Sequence, residues 1–214
     1  MKTIAVFSQK GGSGKSTVAI HLAVAAGANG RVILIDADPQ ATVATWGANR
    51  AKTTPFIARV DPASIEELLI AAQAQGFDLA VVDCPPHAAA GTAALLRIAD
   101  HIVIPAQPSM PDLAATQRSV ILARATGKPY SFVVNRAPPR APEVMQAVEA
   151  LAAGGPVAPI VIGDRRAFAR ALTDGFAVTE FAAKGSKAVA EMLAYWHWLK
   201  QHIQEVEVWQ TQAA

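Results

Sequence analysis

Charge is scarce in this 214-residue chain and cysteine scarcer still: 17% of residues are Asp, Glu, Lys or Arg, and Cys84 is the one cysteine. A lone cysteine excludes an internal disulfide framework, and no Cys/His cluster has the spacing of a zinc site. Cys84 itself reads as a small buried filler rather than a reactive group. The formal net charge of +2 gives no bulk attraction for nucleic acid, so any such contact would have to come from a local patch. No run approaches the 18 or so apolar residues that cross a bilayer, and the chain opens on a strand pattern rather than a signal peptide, so a cytoplasmic protein is expected. Internal repeats, low-complexity tracts and flexible linkers are also missing. One domain over residues 1–214 is therefore expected, long enough to bury a substantial core.

What is abundant is apolar surface, 52% of residues. Apolar β-branched runs alternate with helix-period segments, the pattern of βα units around a parallel sheet buried on both faces. Strands are predicted at Thr3 to Phe7, Arg31 to Ile35, Phe56 to Arg59, Leu79 to Val82, His101 to Pro105, Ser131 to Val134 and Val157 to Ile162. Helices are predicted at Ser16 to Ala28, Ser64 to Ala74, Ala88 to Ala99, Asp112 to Ala125, Pro142 to Ala152, Arg165 to Leu172 and Ser186 to Ile203. The expected fold is α/β, a mostly parallel twisted sheet of about seven strands with helices on both faces.

The first strand runs into Gln9-Lys10-Gly11-Gly12-Ser13-Gly14-Lys15-Ser16-Thr17, a phosphate cradle. Glycines remove the Cβ atoms that would hold backbone N–H groups away from an anion, and the following helix aims its positive end at the same point. Lys15 supplies a cation for the β- and γ-phosphates, and the Ser16 hydroxyl suits a Mg²⁺ ion. The usual P-loop pattern would place glycine at position 9; here Gln9 stands there, with a second lysine, Lys10, beside it. Three further strand ends carry polar groups. Asp36 and Asp38 lie at the second, where they could also merely cap the next helix. Asp83 closes the apolar run Val81-Val82, where an acid can hold a Mg²⁺ coordination sphere while the adjoining loop senses a γ-phosphate. His87, just past Pro85-Pro86, reads as a bystander or a switch-loop residue rather than a base. Asn135, before Arg136, has a donor and an acceptor suited to an adenine edge.

The loop form K-G-G-x-G-K-[ST] resembles the deviant Walker A motif of the ParA/MinD superfamily of dimeric ATPases. Asp36-Ala37-Asp38-Pro39-Gln40, Val82-Asp83-Cys84-Pro85-Pro86 and Val134-Asn135-Arg136 follow in the order of that family. The resemblance implies a P-loop NTPase-like fold, ATP/ADP and Mg²⁺ as cofactors, and slow intrinsic ATP hydrolysis. It implies that Lys10 contacts the phosphates held by an opposite subunit, making ATP part of a homodimer interface. A pair of exchanged cations would offset the repulsion of two facing triphosphates. Further implications are that Asp38 orients the attacking water, Asp36 supports the Mg²⁺ shell through water, and Asn135 with Arg136 and the Pro159 to Asp164 stretch encloses adenine.

Within that superfamily the chain looks most like the small partition proteins of the ParF type, whose partner would be a ParB-like or cargo-adaptor protein that stimulates hydrolysis. Arg165, Arg166, Arg170, Lys184 and Lys187 match the region that carries nonspecific DNA contacts in relatives, which implies nucleoid association in the ATP state; a solvated helical face is the plainer alternative. A MinD-like membrane helix is disfavoured, since the C-terminal stripe Val189, Met192, Leu193, Trp196, Leu199 and Ile203 has few basic residues beside it and reads as core. Two other functions fit the same cradle: a nucleotide switch that recruits partners without DNA, and an ATP-dependent amide ligase related to cobyrinic acid amide synthase.

Overall fold

The computed structural model describes residues 1–86 and 91–213, apart from the side chains of 207 and 209–213. His87 and the side chain of Trp209 lie outside the described residues. Six strands form one parallel sheet: β1 (Lys2–Val6), β2 (Val32–Asp36), β3 (Phe56–Arg59), β4 (Leu79–Asp83), β5 (His101–Ala106) and β6 (Tyr130–Val134), in the order β3-β2-β4-β1-β5-β6. The helices are α1 (Lys15–Ala26), α2 (Thr42–Ala48), α3 (Ile65–Ala74), α4 (Thr92–Ile98), α5 (Met110–Ala125), α6 (Pro142–Ala152), α7 (Arg166–Thr173), α8 (Val178–Phe181) and α9 (Lys187–Ala213).

Successive side chains of a strand point to opposite faces, so the sheet builds two cores. Ile4, Val6, Leu34, Val81, Val103 and Val133 pack on one face against α1, Trp46 of α2, and Val178, Met192, Tyr195 and Leu199 of α8 and α9. Ala5, Phe7, Ile33, Ile35, Val82, Ile104 and Phe132 pack on the other, against Ile65, Leu69, Leu95, Leu96, Ala123 and Leu151 of α3 to α6. The central strands β1, β2, β4 and β5 are almost wholly buried, which accounts for their unbroken apolar composition.

The expected seventh strand is not formed. Residues 157–162 follow β6, and the Ala158 and Ile162 amides donate to the Phe132 and Val134 carbonyls at 2.9 Å, but pairing is confined to the isolated bridges Phe132↔Val157 and Ala137↔Gly163. The Phe132 amide also donates to the Pro156 carbonyl at 2.8 Å, but Pro156 has no N–H to return, and Ile162 rather than Ile160 reaches Val134, so the ladder is broken between Ala158 and Ile162. Two short helices, α2 and α8, arise where no helix pattern is visible. Along α9 the buried stripe is Val189, Met192, Tyr195, Leu199 and Ile203, with Leu193 turned outward at 45% exposure. Among the described residues no helix is long and apolar enough to cross a membrane.

Parallel pairing places the C-terminal ends of the strands together. In register, Asp36 of β2 stands beside Asp83 of β4, and Val6 of β1 beside both Asp83 and Val103 of β5. The glycine-rich loop, the Asp36 to Gln40 turn and the Asn135 turn all leave the sheet at this edge, where ligands of open α/β sheets bind.

Candidate nucleotide site

The loop between β1 and α1 is shaped by two glycines in the left-handed region, Gly12 at φ +78° and Gly14 at φ +93°. Gly14 has a second reason to be glycine: a Cβ there would lie 2.1 Å from Asn135 Nδ2. Asn135, 3% exposed, donates from Nδ2 to the Ser13 carbonyl at 3.3 Å and accepts at Oδ1 from the Arg136 amide at 2.9 Å. The residue expected on the base therefore also braces the phosphate loop from beneath. Arg136 follows at φ +52°, a conformation that side-chain-bearing residues seldom adopt outside functional turns.

The loop is held on its other flank by the β5–α5 region. The Gln9 amide donates to Ser119 Oγ at 2.9 Å, and Gln107 Nε2 donates to the Gly12 carbonyl at 2.6 Å. Lys10 Nζ pairs with Asp112 Oδ2 at 2.5 Å. Asp112 is the third residue of α5, and its amide donates to the capping Ser109 hydroxyl. The Ser-Met-Pro-Asp pattern makes this helix start visible in the sequence; that its acid would receive Lys10 is not.

The loop opens into a cavity of about 440 Å³. Gly11, Gly12, Gly14, Lys15, Ser16 and Thr17 line its floor, Asp38, Gln40 and Thr42 one side, and Asn135, Arg136, Asp164, Arg165, Phe168 and Leu172 the far side. Ser13 is buried behind the loop, and Lys10 is turned away toward Asp112. Phe168 and Leu172 of α7 are apolar wall residues that the sequence pattern alone does not single out.

Beneath Lys15 and Ser16 lie the acids. Asp83 is fully buried, and neither carboxylate oxygen has a hydrogen-bond partner among the described residues. Burial pushes its carboxyl up to about 7, with Asp36 adding to the shift and the neighbouring Ser16 hydroxyl and Lys15 opposing it. An orphaned buried carboxylate beside a hydroxyl is a donor set that suits a hard divalent cation. Asp36 is also fully buried, and burial raises its carboxyl, but both oxygens are occupied: Oδ1 accepts from the Asp38 amide at 3.1 Å and Oδ2 from the Ala44 amide of α2 at 2.8 Å. Asp38, 6% exposed, accepts from the Gln40 amide at 2.9 Å and lines the cavity. Cys84 is fully buried. Its thiol is pushed well above its ordinary range by burial and by the adjacent Asp83.

The five cations expected to meet DNA do not form one free set. Arg165 faces the cavity and is paired with Glu191 of α9, its Nε donating to Glu191 Oε2 at 2.9 Å. Arg170 lies over the Phe181 ring at 5.7 Å. Arg166, Lys184 and Lys187 are exposed.

A parallel sheet whose first strand feeds a glycine-rich loop and a helix, with acids on the adjacent strand ends, defines a P-loop-type nucleotide-binding protein. Residues 4–177 match the CobQ/CobB/MinD/ParA nucleotide binding domain, and the chain belongs to that family. It is similar to the maintenance of carboxysome distribution protein A of Gloeobacter kilaueensis, 32% identical over an alignment of 192 residues that covers 87% of this chain and 88% of that protein. The protein of the same name from Halothiobacillus neapolitanus is 32% identical over 202 residues, covering 89% of this chain and 92% of its own length. In architecture the chain is similar to the septum site-determining protein MinD of Pyrococcus horikoshii complexed with Mg-ADP, with a TM-score of 0.74 at 17% identity over 92% of this chain and 95% of that one.

Proposed function

We propose that this chain is an ATP-driven positioning protein that pairs with a second copy around two ATP molecules and disperses a cargo within the cell. The observation that carries the proposal is the pairing of Lys10 with Asp112 at the rim of the cradle. Lys10 is thereby held off its own cavity, where it would lie on the surface that a second copy faces, while Lys15 lines the cavity and would meet the phosphates. Two lysines with two separate stations fit one phosphate contact within the subunit and one across it.

Within the site, the loop amides and Lys15 would hold the phosphates, and Ser16 with Asp83 would hold Mg²⁺, with Asp36 one shell further out. The ion would neutralise charge that develops on the phosphates during transfer. Asp38, at the cavity wall, would orient the attacking water. Asn135, Arg136 and the Phe168–Leu172 wall would enclose the adenine. The two relatives named for carboxysome distribution favour a protein assembly as cargo over a plasmid or chromosome. The exposed Arg166, Lys184 and Lys187 would give weak, sequence-independent DNA contact that dimerisation doubles. A cargo-adaptor protein would then stimulate the slow intrinsic hydrolysis and release the complex.

Turnover and association measured together test this. Wild type should hydrolyse ATP and form a dimer with ATP but not with ADP, and Asp38→Ala should keep the ATP dimer while losing turnover about a hundredfold. Full turnover in Asp38→Ala would remove the water-positioning role.

A further inference from the structure

Downstream of Asp38, the segment is gripped at a point far from the cavity. Asp38 is joined to α2 by three residues, of which Ala41 is left-handed at φ +54° and its amide donates back to the Asp38 carbonyl at 2.9 Å. The near end of α2 is tied to the site through the Ala44 amide on Asp36 and through Thr42 at the cavity wall. Its far end runs into Arg50, whose side chain is 1% exposed. Arg50 Nη1 donates to Glu180 Oε2 at 2.8 Å and to the Gly175 carbonyl at 3.0 Å, Nη2 to Glu180 Oε1 at 2.7 Å, and Nε to the Thr54 carbonyl at 2.9 Å. Trp46, one turn earlier, lies under the guanidinium and donates from its indole N–H to the Phe176 carbonyl at 3.2 Å.

The anchoring side is firm. Gly175, at φ +72°, approaches so closely that a Cβ would meet the Asn49 carbonyl oxygen at 2.4 Å. Glu180 also accepts from the Ala177 amide at 2.9 Å and from Lys52 at 3.1 Å, and the Val178 amide donates to His21 Nδ1 of α1 at 3.0 Å. The same α7–α8 segment supplies Phe168 and Leu172 to the cavity.

We propose that Glu180, through its two-pronged grip on Arg50, is a positioning residue for Asp38: it fixes the far end of α2 and so the loop that carries Asp38. This rests on the water-orienting role proposed for Asp38. A buried ion pair adds little net stability relative to a well-packed apolar contact. What a forked arginine–carboxylate pair supplies is direction, since two parallel bonds fix both angle and distance. Helix α2 needs that direction, because only Val43 and Trp46 of its seven residues are buried. Seating of a nucleotide against Phe168 and Leu172 would reach Asp38 through the same connection.

The test uses the full chain and separates rate from binding. Glu180→Gln keeps the shape and loses the charge; at saturating ATP its kcat should fall about tenfold or more, with ADP affinity within about twofold of wild type. Trp46→Phe removes one hydrogen bond, keeps an aromatic ring and carries the test if Glu180→Gln fails to fold; its kcat should fall about threefold. Wild-type kcat in a folded Glu180→Gln protein, or in Trp46→Phe where the former does not fold, overturns the proposal and leaves the ATPase intact. A wild-type chain with no ATP turnover overturns both together.

Discussion

Lys10 Nζ and Asp112 Oδ2 stand 2.5 Å apart within one subunit, and Asp112 is buried while the lysine side chain is 34% exposed. The signature lysine is thus stored on its own α5. In the proposed dimer, moving it onto a neighbouring triphosphate would leave Asp112 with the Ser109 hydroxyl on Oδ2 and with the buried Oδ1, which has no hydrogen-bond partner among the described residues. The stored pair would oppose the proposed dimerisation by the free energy of breaking it, about 1 kcal/mol for each partly exposed ion pair. Both subunits release their lysine, about 2 kcal/mol in all, so Asp112→Asn should lower the concentration for half-maximal ATP-dependent dimerisation about thirtyfold, read by analytical ultracentrifugation. An unchanged or weaker dimer would show that the pair supports the dimer-competent loop instead.

The contact between Gly14 and Asn135 predicts a coupled loss. Gly14→Ala must place a Cβ 2.1 Å from Asn135 Nδ2 in a backbone conformation of φ +93°. The amide has to leave the Ser13 carbonyl, and the helix start has to shift. A destabilisation of about 2–3 kcal/mol is expected in urea unfolding, together with at least a tenfold loss of ATP affinity in titration calorimetry. Loss of stability with undiminished affinity would mean that Asn135 does not brace the cradle.

Acid should expose two buried histidines. Burial lowers His21 and His101 to about 3, against 6.5 in the unfolded chain. The unfolded state then binds more protons below pH 6.5, so the stability that each neutral ring secures is complete above pH 6.5 and is lost as pH falls toward 3. Asp83, raised to about 7, acts in the opposite sense over the same range, stabilising the fold toward acid. A comparison of slopes isolates the histidine: between pH 7.5 and 5, His21→Gln should lose about 2 kcal/mol less stability than wild type in urea titrations. Equal losses would show that His21 takes up its proton without unfolding.

Much of this was legible in the sequence, and for definite reasons. Buried parallel strands need unbroken apolar runs, so β1 to β6 stood out, and helix α6 was placed at its observed bounds because Pro142 marks its first turn. Gly11, Gly12, Gly14, Lys15, Ser16 and Thr17 of the expected cradle line the cavity floor, whereas Ser13 is buried behind it and Lys10 is turned to Asp112. The seventh strand misled because the Val157 to Ile162 composition suits a strand while its pairing with β6 stops at isolated bridges. Helix α2 was invisible because Thr42, Thr45 and Gly47 are weak helix formers, and tertiary contacts through Trp46 and Arg50 hold it. The partners of Lys10, Asn135 and Arg165 were hidden for a common reason: Asp112, Ser13 and Glu191 come from segments separated from them in sequence by up to 122 residues. Arg165 in particular looked like a free cation until Glu191 of α9 met it.

Sedimentation of wild type and Lys10→Ala with a nonhydrolysable ATP analogue and Mg²⁺ tests the account most directly. Wild type is predicted to sediment as a dimer with the analogue and as a monomer with ADP, whereas Lys10→Ala should bind the analogue within about threefold of wild-type affinity yet remain monomeric. A Lys10→Ala protein that dimerises as wild type does, or a wild type that stays monomeric when saturated, would contradict it.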